Sequence, residues 1–219
     1  MKPVGTGFSY GDGVVNSTEA AALDVYFALN AFYGKFPRYR RRRLHIVSES
    51  FGGHFAPGIA SVILDANKVT NSSIIRLESI AVGNGLISPS IQFKSLAQIA
   101  CHNKYAALFS LENCHRFEKK LAQLITHTLE CLNNGTSARC CKAWSYFITD
   151  IILPHLHDGH DIYDIRSSIL PTHRYAAATN ATATAMNDPF IRSKLLATNI
   201  TFITDHPDVN TRFIKSGDM

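Results

Sequence analysis

The chain has 219 residues, 46% of them hydrophobic, which suits one fair-sized globular domain with room for an inserted subdomain. No apolar run approaches the roughly 18 residues that a membrane-spanning helix requires, and the first residues lack the apolar stretch of a signal peptide. The net charge is +5, and the segment from Arg38 to Arg43 holds five arginines. No nucleic-acid-binding motif accompanies that run, so we interpret it as a solvated loop, which in a secreted protein could also be cut by a dibasic-specific protease.

The first half of the chain has the pattern of a βαβ unit. After a Gly-rich loop at residues 3–13, a helix is predicted with Asn16 as its N-cap. Its apolar positions recur at helical spacing: Val25, Leu29, Phe32 and Phe36. A strand at residues 44–47 leads through a tight turn at residues 48–53 into a second helix, and another strand follows at residues 80–82. Strand, helix and strand in succession predict a parallel sheet.

The second half has a different character. Residues 95–157 are predicted to be mostly helical, and we interpret them as an insertion that caps the sheet. The clearest apolar helix face there is formed by Phe117, Leu121, Leu124 and Ile125. Residues 176–186 consist almost entirely of Ala, Thr and Asn, a composition that predicts a mobile loop. A short helix is expected at residues 191–197.

Two features favour passage through the secretory pathway. Five Asn-x-Ser/Thr sequons, where chance would supply about one or two, predict glycosylation at Asn16, Asn71, Asn134, Asn180 and Asn199. Five cysteines lie between Cys101 and Cys141, and such clustering predicts local disulfides in an oxidising compartment. None of them forms a Cys-x-x-Cys pair, which argues against a zinc knuckle, and their odd number leaves one without a partner in this chain.

The turn at residues 48–53 has the pattern of a nucleophile elbow. A catalytic serine on a strand-to-helix turn needs small flanking residues, usually Gly-x-Ser-x-Gly, and here Ser48 and Gly52 flank Ser50. The backbone N–H after such a serine lies at a helix N-terminus, where it can donate to an oxyanion. An ordinary serine in a turn fits the bare pattern equally well, so the pattern alone does not decide.

Longer blocks of the sequence resemble the serine carboxypeptidases. SESFGGHFAP at residues 48–57 is similar to that family's nucleophile segment, Gly-Glu-Ser-Tyr-Ala-Gly-His-Tyr-x-Pro. PVGTGFSY at residues 3–10, GNGL at 83–86, YDIR at 163–166 and SGDM at 216–219 resemble further blocks of the family, at fitting spacings. The likeness is greatest to the fungal and vacuolar-type enzymes. It implies an α/β-hydrolase fold, incomplete in this chain, with a helical cap insertion.

The resemblance assigns roles to individual residues. Ser50 would be the nucleophile, and the Phe51 backbone N–H would be one oxyanion donor. Glu49 would recognise the C-terminal carboxylate of a peptide substrate. Two carboxyl groups in contact share a proton, so this binding is expected to be favoured at acid pH. Leu86 and Phe93 match positions that line the pocket for the residue before the scissile bond. His54 matches a structural histidine of the family rather than a base.

The resemblance also implies an organisation and a function. It divides the chain into a partial core at residues 1–94, a cap at 95–170 and a return segment at 171–219. The family's catalytic Asp and His would follow Met219, and its other oxyanion donor would precede Met1. The implied disulfides are Cys101–Cys114 and Cys131–Cys140, with Cys141 as the weaker candidate for Cys131.

The implied activity is release of C-terminal residues from peptides, without a cofactor, in a vacuole-like compartment or outside the cell. The alternatives are an acyltransferase on the same scaffold and a non-catalytic truncated product, and we expect residues 1–219 alone to be inactive. No oligomeric state is predicted.

A rival motif lies at residues 155–161, HLHDGHD, which resembles the His-x-His-x-Asp-His zinc motif of metallo-β-lactamase-like hydrolases. In that motif the Asp directly precedes the last His, whereas here Gly159 stands between Asp158 and His160. A helical region also leads in where a strand is required. We therefore interpret these residues as a polar surface loop and predict no metal site.

Overall fold

A computed structural model describes residues 4–69, 75–104, 109–154, 163–164, 174–204 and 206–218. The chain divides into two compact units. The first, which we call the elbow unit, comprises Gly13–Ser88. The second, the helical unit, comprises Pro3–Asp12 and Pro89–Met219. The division into a core at residues 1–94, a cap at 95–170 and a return segment at 171–219 stays a prediction.

The elbow unit begins with helix α1, Thr18–Lys35. Its N-cap is Ser17, whose extended backbone lets its Oγ accept a hydrogen bond from the Ala20 N–H at 3.2 Å. The expected cap, Asn16, is one residue too early and is exposed to solvent. Helix α1 ends where the Phe36 N–H donates to the Phe32 carbonyl at 2.8 Å.

The buried face of α1 differs from the predicted one. Tyr33 is only 6% exposed and joins the core with Tyr26 and Leu29, whereas Phe32 and Phe36 are 42% and 40% exposed. The two phenylalanine rings pack against each other, 5.1 Å between centroids, on the outer side of the helix. Helical spacing alone did not distinguish two adjacent aromatic stripes, and the one that meets α2 and the sheet is buried.

Strand β1, Leu44–Glu49, helix α2, Gly52–Val69, and strand β2, Leu77–Gly83, form the predicted βαβ unit. The strands are parallel, with Leu44 opposite Leu77 and Ile46 opposite Ile80. Tyr33, Ile63 and Ile75 form the buried centre between the helices and the sheet. The predicted parallel sheet is therefore confirmed, and the carboxyl ends of both strands lie at the same edge.

The elements of the helical unit, within the residues that the structure describes, are helices. Helices α3 and α4 span Pro89–Gln92 and Leu96–His102, and α5 and α6 span Leu111–Asn134 and Ser137–Tyr146. A π-helical turn at Phe147–Ile152 continues α6. Helices α7, α8 and α9 span Arg174–Asn187, Pro189–Lys194 and Pro207–Ser216. The apolar face of α5 is buried as predicted at Phe117, Leu121 and Leu124.

The mobile loop expected at residues 176–186 is instead part of α7. Its alanines are the strongest helix formers. The hydroxyls of Thr182 and Thr184 donate to the carbonyls of Ala178 and Asn180, at 2.8 and 2.9 Å. These bonds to the preceding turn satisfy the threonine hydroxyls within the helix. Composition alone therefore does not distinguish this helix from a loop.

Two disulfides lie in the helical unit. Cys101 in α4 joins Cys114 in α5, with Cα atoms 5.7 Å apart, and Cys131 joins Cys140 across the α5–α6 turn at 4.7 Å. These are the two pairs that the family resemblance implied. Cys141 is free, and its thiol donates to the Ile214 carbonyl at 2.6 Å. None of the described helices is long and apolar enough to span a bilayer.

Candidate active site

Ser50 lies at the sharp turn between β1 and α2. Strand β1 ends at Glu49 and α2 begins at Gly52, so the chain reverses within two residues. Ser50 adopts a φ of +56°, a value that only a few per cent of non-glycine residues take. Such strain persists where the surrounding structure enforces it, and it is concentrated at functional sites. The Ser50 side chain is exposed to solvent.

The flanking residues are small because the turn leaves no room for larger ones. A Cβ added at Gly52 would lie 2.8 Å from the Ser48 Oγ. Ser48 also ties the two ends of the turn together, since its hydroxyl lies 3.0 Å from the Gly52 carbonyl and 3.4 Å from that of Ala81. A Gly at position 48 would lack this hydroxyl. The departure from Gly-x-Ser-x-Gly therefore adds a clamp to the elbow.

The loop after β2 supports the turn from the other side. The Ser50 N–H donates to the Gly83 carbonyl, and the Leu86 N–H donates to the Ser50 carbonyl, both at 3.1 Å. A Cβ at Gly53 would lie 2.8 Å from backbone atoms of Leu86. A Cβ at Gly85 would meet the Val82 side chain first and would lie 3.2 Å from the Gly53 Cα. The backbone at Gly53 therefore approaches that of residues 85–86 closely, and the two hydrogen bonds fix both peptide planes of Ser50.

Asn84 is a further residue of this support. Its φ of +45° turns the chain between Gly83 and Gly85, and asparagine is among the non-glycine residues that best tolerate that conformation. The sequence signal for it is the Gly-Asn-Gly run at residues 83–85, where the second strand ends. The roles of Asn84 and of the Ser48 hydroxyl in holding the elbow were both missed.

Phe51 and His54 lie on the first turn after Ser50. The two rings stack, with centroids 4.6 Å apart and an angle of 6° between their planes. The Phe51 carbonyl accepts the His54 N–H at 3.0 Å, one of the first hydrogen bonds at the start of α2. The Phe51 N–H precedes that helix, where the aligned peptide dipoles favour negative charge. The stacked position of His54 fits a structural role.

Glu49 and Leu86 differ in their exposure to solvent. Glu49 is exposed at the end of β1, opposite Gly83 in the register of the sheet. It borders an open groove of about 650 Å³ along the ends of the two strands. The groove is lined by Val47, Ser48, Glu49, Ala81, Val82 and Gly83. Leu86 is half-buried against Gly53.

Phe93 belongs to the helical unit. Its side chain is 6% exposed, and its ring stacks on Phe147 with centroids 4.7 Å apart. The ring therefore contributes to that unit's core, and its expected contact with a substrate stays a prediction. The rival zinc motif at residues 155–161 and the sequon at Asn71 lie outside the described residues. In the ranges that are described, no group of three or more His, Cys, Asp or Glu side chains could hold a metal ion.

Comparison with known proteins decides the family. The chain matches the serine carboxypeptidase family over residues 2–210. The chain belongs to that family. Carboxypeptidase Y of Schizosaccharomyces pombe is 32% identical over 231 residues, a match that covers 99% of this chain and 23% of the relative. Carboxypeptidase Y homolog A of Ajellomyces capsulatus is 31% identical, over 99% of this chain and 39% of the relative.

A solved structure shares the fold of this serine carboxypeptidase family member. The chain aligns along its whole length with Kex1Δp of Saccharomyces cerevisiae, a prohormone-processing carboxypeptidase, at a TM-score of 0.74 and 16% identity. The alignment covers 50% of that chain. The expected α/β-hydrolase fold is thereby confirmed. The chain spans half or less of the length of these relatives.

Proposed function

We propose that Ser50 is the nucleophile of a serine carboxypeptidase that releases C-terminal residues from peptides through an acyl-enzyme. The observation that carries the proposal is the positive φ of Ser50 between β1 and α2. Hydrogen bonds with Gly83, at the end of β2, and with Leu86, in the loop that follows, hold this conformation. A serine strained in this way at a strand-to-helix turn presents its hydroxyl at the carboxyl edge of the sheet.

The neighbouring residues support the reaction in stated roles. The Ser50 Oγ attacks the scissile carbonyl, and the Phe51 N–H donates to the oxyanion that forms. Glu49 shares a proton with the substrate's terminal carboxylate, so that binding takes up a proton and strengthens as the pH falls. Leu86 and Phe93 match positions that, in the family, line the pocket for the residue before the scissile bond, and that role is proposed for each of them. These four roles follow the family's pattern at matching positions.

The proton of the Ser50 hydroxyl needs a base. In the elbow unit, the His45 Nδ1 lies 2.8 Å from the Ser79 Oγ, and His54 stacks on Phe51. We assign the base to neither of them. We propose that the base and its carboxylate partner belong to the part of the family's sequence that residues 1–219 do not span.

A chimera tests the proposal. Residues 2–210 replace the matching segment of a carboxypeptidase Y homolog A, and hydrolysis of a blocked dipeptide is followed at pH 5. We expect activity that Ser50→Ala abolishes and that Ser61→Ala, at an exposed position of α2, leaves unchanged. A folded chimera that still hydrolyses the peptide with Ser50→Ala would contradict the assignment. Product analysis in the presence of an alcohol separates hydrolysis from acyl transfer.

We also propose that the protein is glycosylated and passes through the secretory pathway, to a vacuole-like compartment or out of the cell. Two disulfides support this, because such bonds persist in oxidising compartments. Four of the five sequon asparagines are described, and all four are exposed: Asn16, Asn134, Asn180 and Asn199. Enzymatic release of N-glycans converts each occupied Asn to Asp, so mass spectrometry after expression in a secretory host should find conversion at these positions. A fully secreted chain without any conversion would contradict glycosylation.

A further inference from the structure

The run of arginines before β1 forms an exposed turn. Residues 40–43 lie between a 3₁₀ turn at Pro37–Tyr39 and the first residue of β1, and all four side chains are exposed. Among the described residues, the guanidinium groups of Arg40, Arg41 and Arg42 make no hydrogen bond or ion pair. Arg43 forms an ion pair with Glu78 at 3.1 Å. Because both side chains are largely exposed to solvent, that ion pair adds little to the stability of the turn.

The backbone of this turn is held by few hydrogen bonds. The Arg40 N–H donates to the Pro37 carbonyl at 3.1 Å and the Arg42 N–H to the Tyr39 carbonyl at 2.9 Å. The Arg76 guanidinium also donates a hydrogen bond to the Arg41 carbonyl, at 3.1 Å. Local opening of such exposed turns costs little free energy, and it makes them the preferred sites of proteolytic cleavage.

We propose that the Arg41–Arg42 peptide bond is a processing site for an endoprotease whose carboxylate-lined subsites bind paired basic residues. Arg41, Arg40 and Arg38 stand first, second and fourth before the bond, so three guanidinium groups can pair with carboxylates. Water supplies the hydroxyl to the Arg41 carbonyl carbon and a proton to the Arg42 amine. Cleavage after Arg43 would require Leu44, which donates to the Arg76 carbonyl at 2.8 Å, to leave β1.

The chain contains an internal contrast. Lys119–Lys120 is the other pair of adjacent Lys or Arg residues in the sequence. It lies inside the 24-residue helix α5, and the Lys120 ammonium donates to the Asp150 carbonyl at 3.2 Å. A protease binds its substrate in extended form, so cleavage there would require several helical turns to unfold. The fold therefore exposes one dibasic site and protects the other.

Both products of the cut should stay associated. Helix α1 is held to α2 by Tyr33 against Ile63 and Ile75. Strand β1 keeps its register with β2, including Ser48 opposite Val82. A nicked protein of two noncovalent chains, residues 1–41 and 42–219, is therefore expected. The inference goes beyond peptide hydrolysis at Ser50 and depends only on the secretory location proposed above.

The test uses the full, disulfide-bonded chain and a calcium-dependent subtilisin-like endoprotease specific for paired arginines. We expect a single new N-terminus at Arg42 and fragments that co-elute in gel filtration. Arg40→Ala should slow the cut about tenfold or more, because a charge-assisted contact is lost. Lys119→Ala/Lys120→Ala should not change the rate. The Ser50→Ala chain should be cut normally, which separates this inference from the catalytic proposal.

Three results would overturn the inference. The first is a native chain that resists cleavage while the heat-unfolded chain is cut after Arg41. The second is cleavage after Lys120 at a similar rate, since the fold would then not select the site. The third is a chain secreted intact by cells that contain such a protease and release the nicked form of a control substrate.

Discussion

The contact between Ser48 and Gly52 can be tested by a double-mutant cycle. The single changes are Gly52→Ala and Ser48→Gly, and the double variant combines them. In the described structure, the only atoms within 4 Å of a Cβ at position 52, apart from chain neighbours and the helix's own backbone, are the Ser48 Cβ and Oγ. The clash is therefore between two side chains, and removing one of them should abolish it.

The expected free energies follow from these contacts. Overpacking by one methyl group in Gly52→Ala should cost about 1–3 kcal/mol. Ser48→Gly loses the 3.0 Å hydrogen bond to the Gly52 carbonyl, and the glycine has more backbone freedom in the unfolded chain. Together these two effects should lower the free energy of unfolding by about 2 kcal/mol. In the double variant the methyl group meets open space, so it should be no less stable than Ser48→Gly. The coupling energy should therefore be about 1–3 kcal/mol in favour of the double variant.

Hydrogen–deuterium exchange of peptides that cover residues 44–69 measures the opening free energy of β1 and α2 directly. Gly58→Ala is a useful comparison, because its Cβ would lie 3.0 Å from the Thr18 Cγ2 on α1 and far from Ser48. That change should show no coupling to Ser48→Gly. Free energies for Ser48→Gly and Gly52→Ala that add within about 0.5 kcal/mol would refute the predicted clash between the side chains at positions 48 and 52.

Three further predictions follow from the structure. Residues 1–219 expressed alone should not hydrolyse a blocked dipeptide at pH 5, and an organophosphate should not label Ser50 rapidly. Turnover that Ser50→Ala abolishes would instead show that a base lies within the chain. Tyr33→Ala should destabilise the elbow unit by about 3–5 kcal/mol, whereas Phe32→Ala, at a 42% exposed side chain, should cost less than about 1 kcal/mol, as urea unfolding can measure; equal losses would place the core on the wrong face of α1. Non-reducing peptide mapping should recover two disulfides and alkylate Cys141 alone after unfolding; a peptide that joins Cys141 to another cysteine would contradict the pairs Cys101–Cys114 and Cys131–Cys140.

Much of the elbow could be predicted from the sequence, because its constraints are local. A tight strand-to-helix turn requires small residues two positions either side of the serine, and Ser48 and Gly52 meet that requirement wherever the rest of the chain lies. The βαβ order likewise follows from short apolar runs separated by a helical period, and a parallel pair needs such a crossover. Family resemblance supplied the roles of Glu49, Leu86 and Phe93, which stay predictions.

What the tertiary structure decided depends on contacts between distant segments. Tyr33 and Phe32 each continue an apolar stripe of α1, so the sequence allows either ring to be buried. Tyr33 is the buried ring because it is the one that packs against α2 and the sheet. The part that Asn84 plays in supporting the elbow appears only when the loop after β2 folds against Ser50. The sequence by itself determined where the chain turns and which residues are small enough to allow it. Only the folded chain determined which neighbours enforce the strained serine, because those hydrogen bonds join positions more than thirty residues apart.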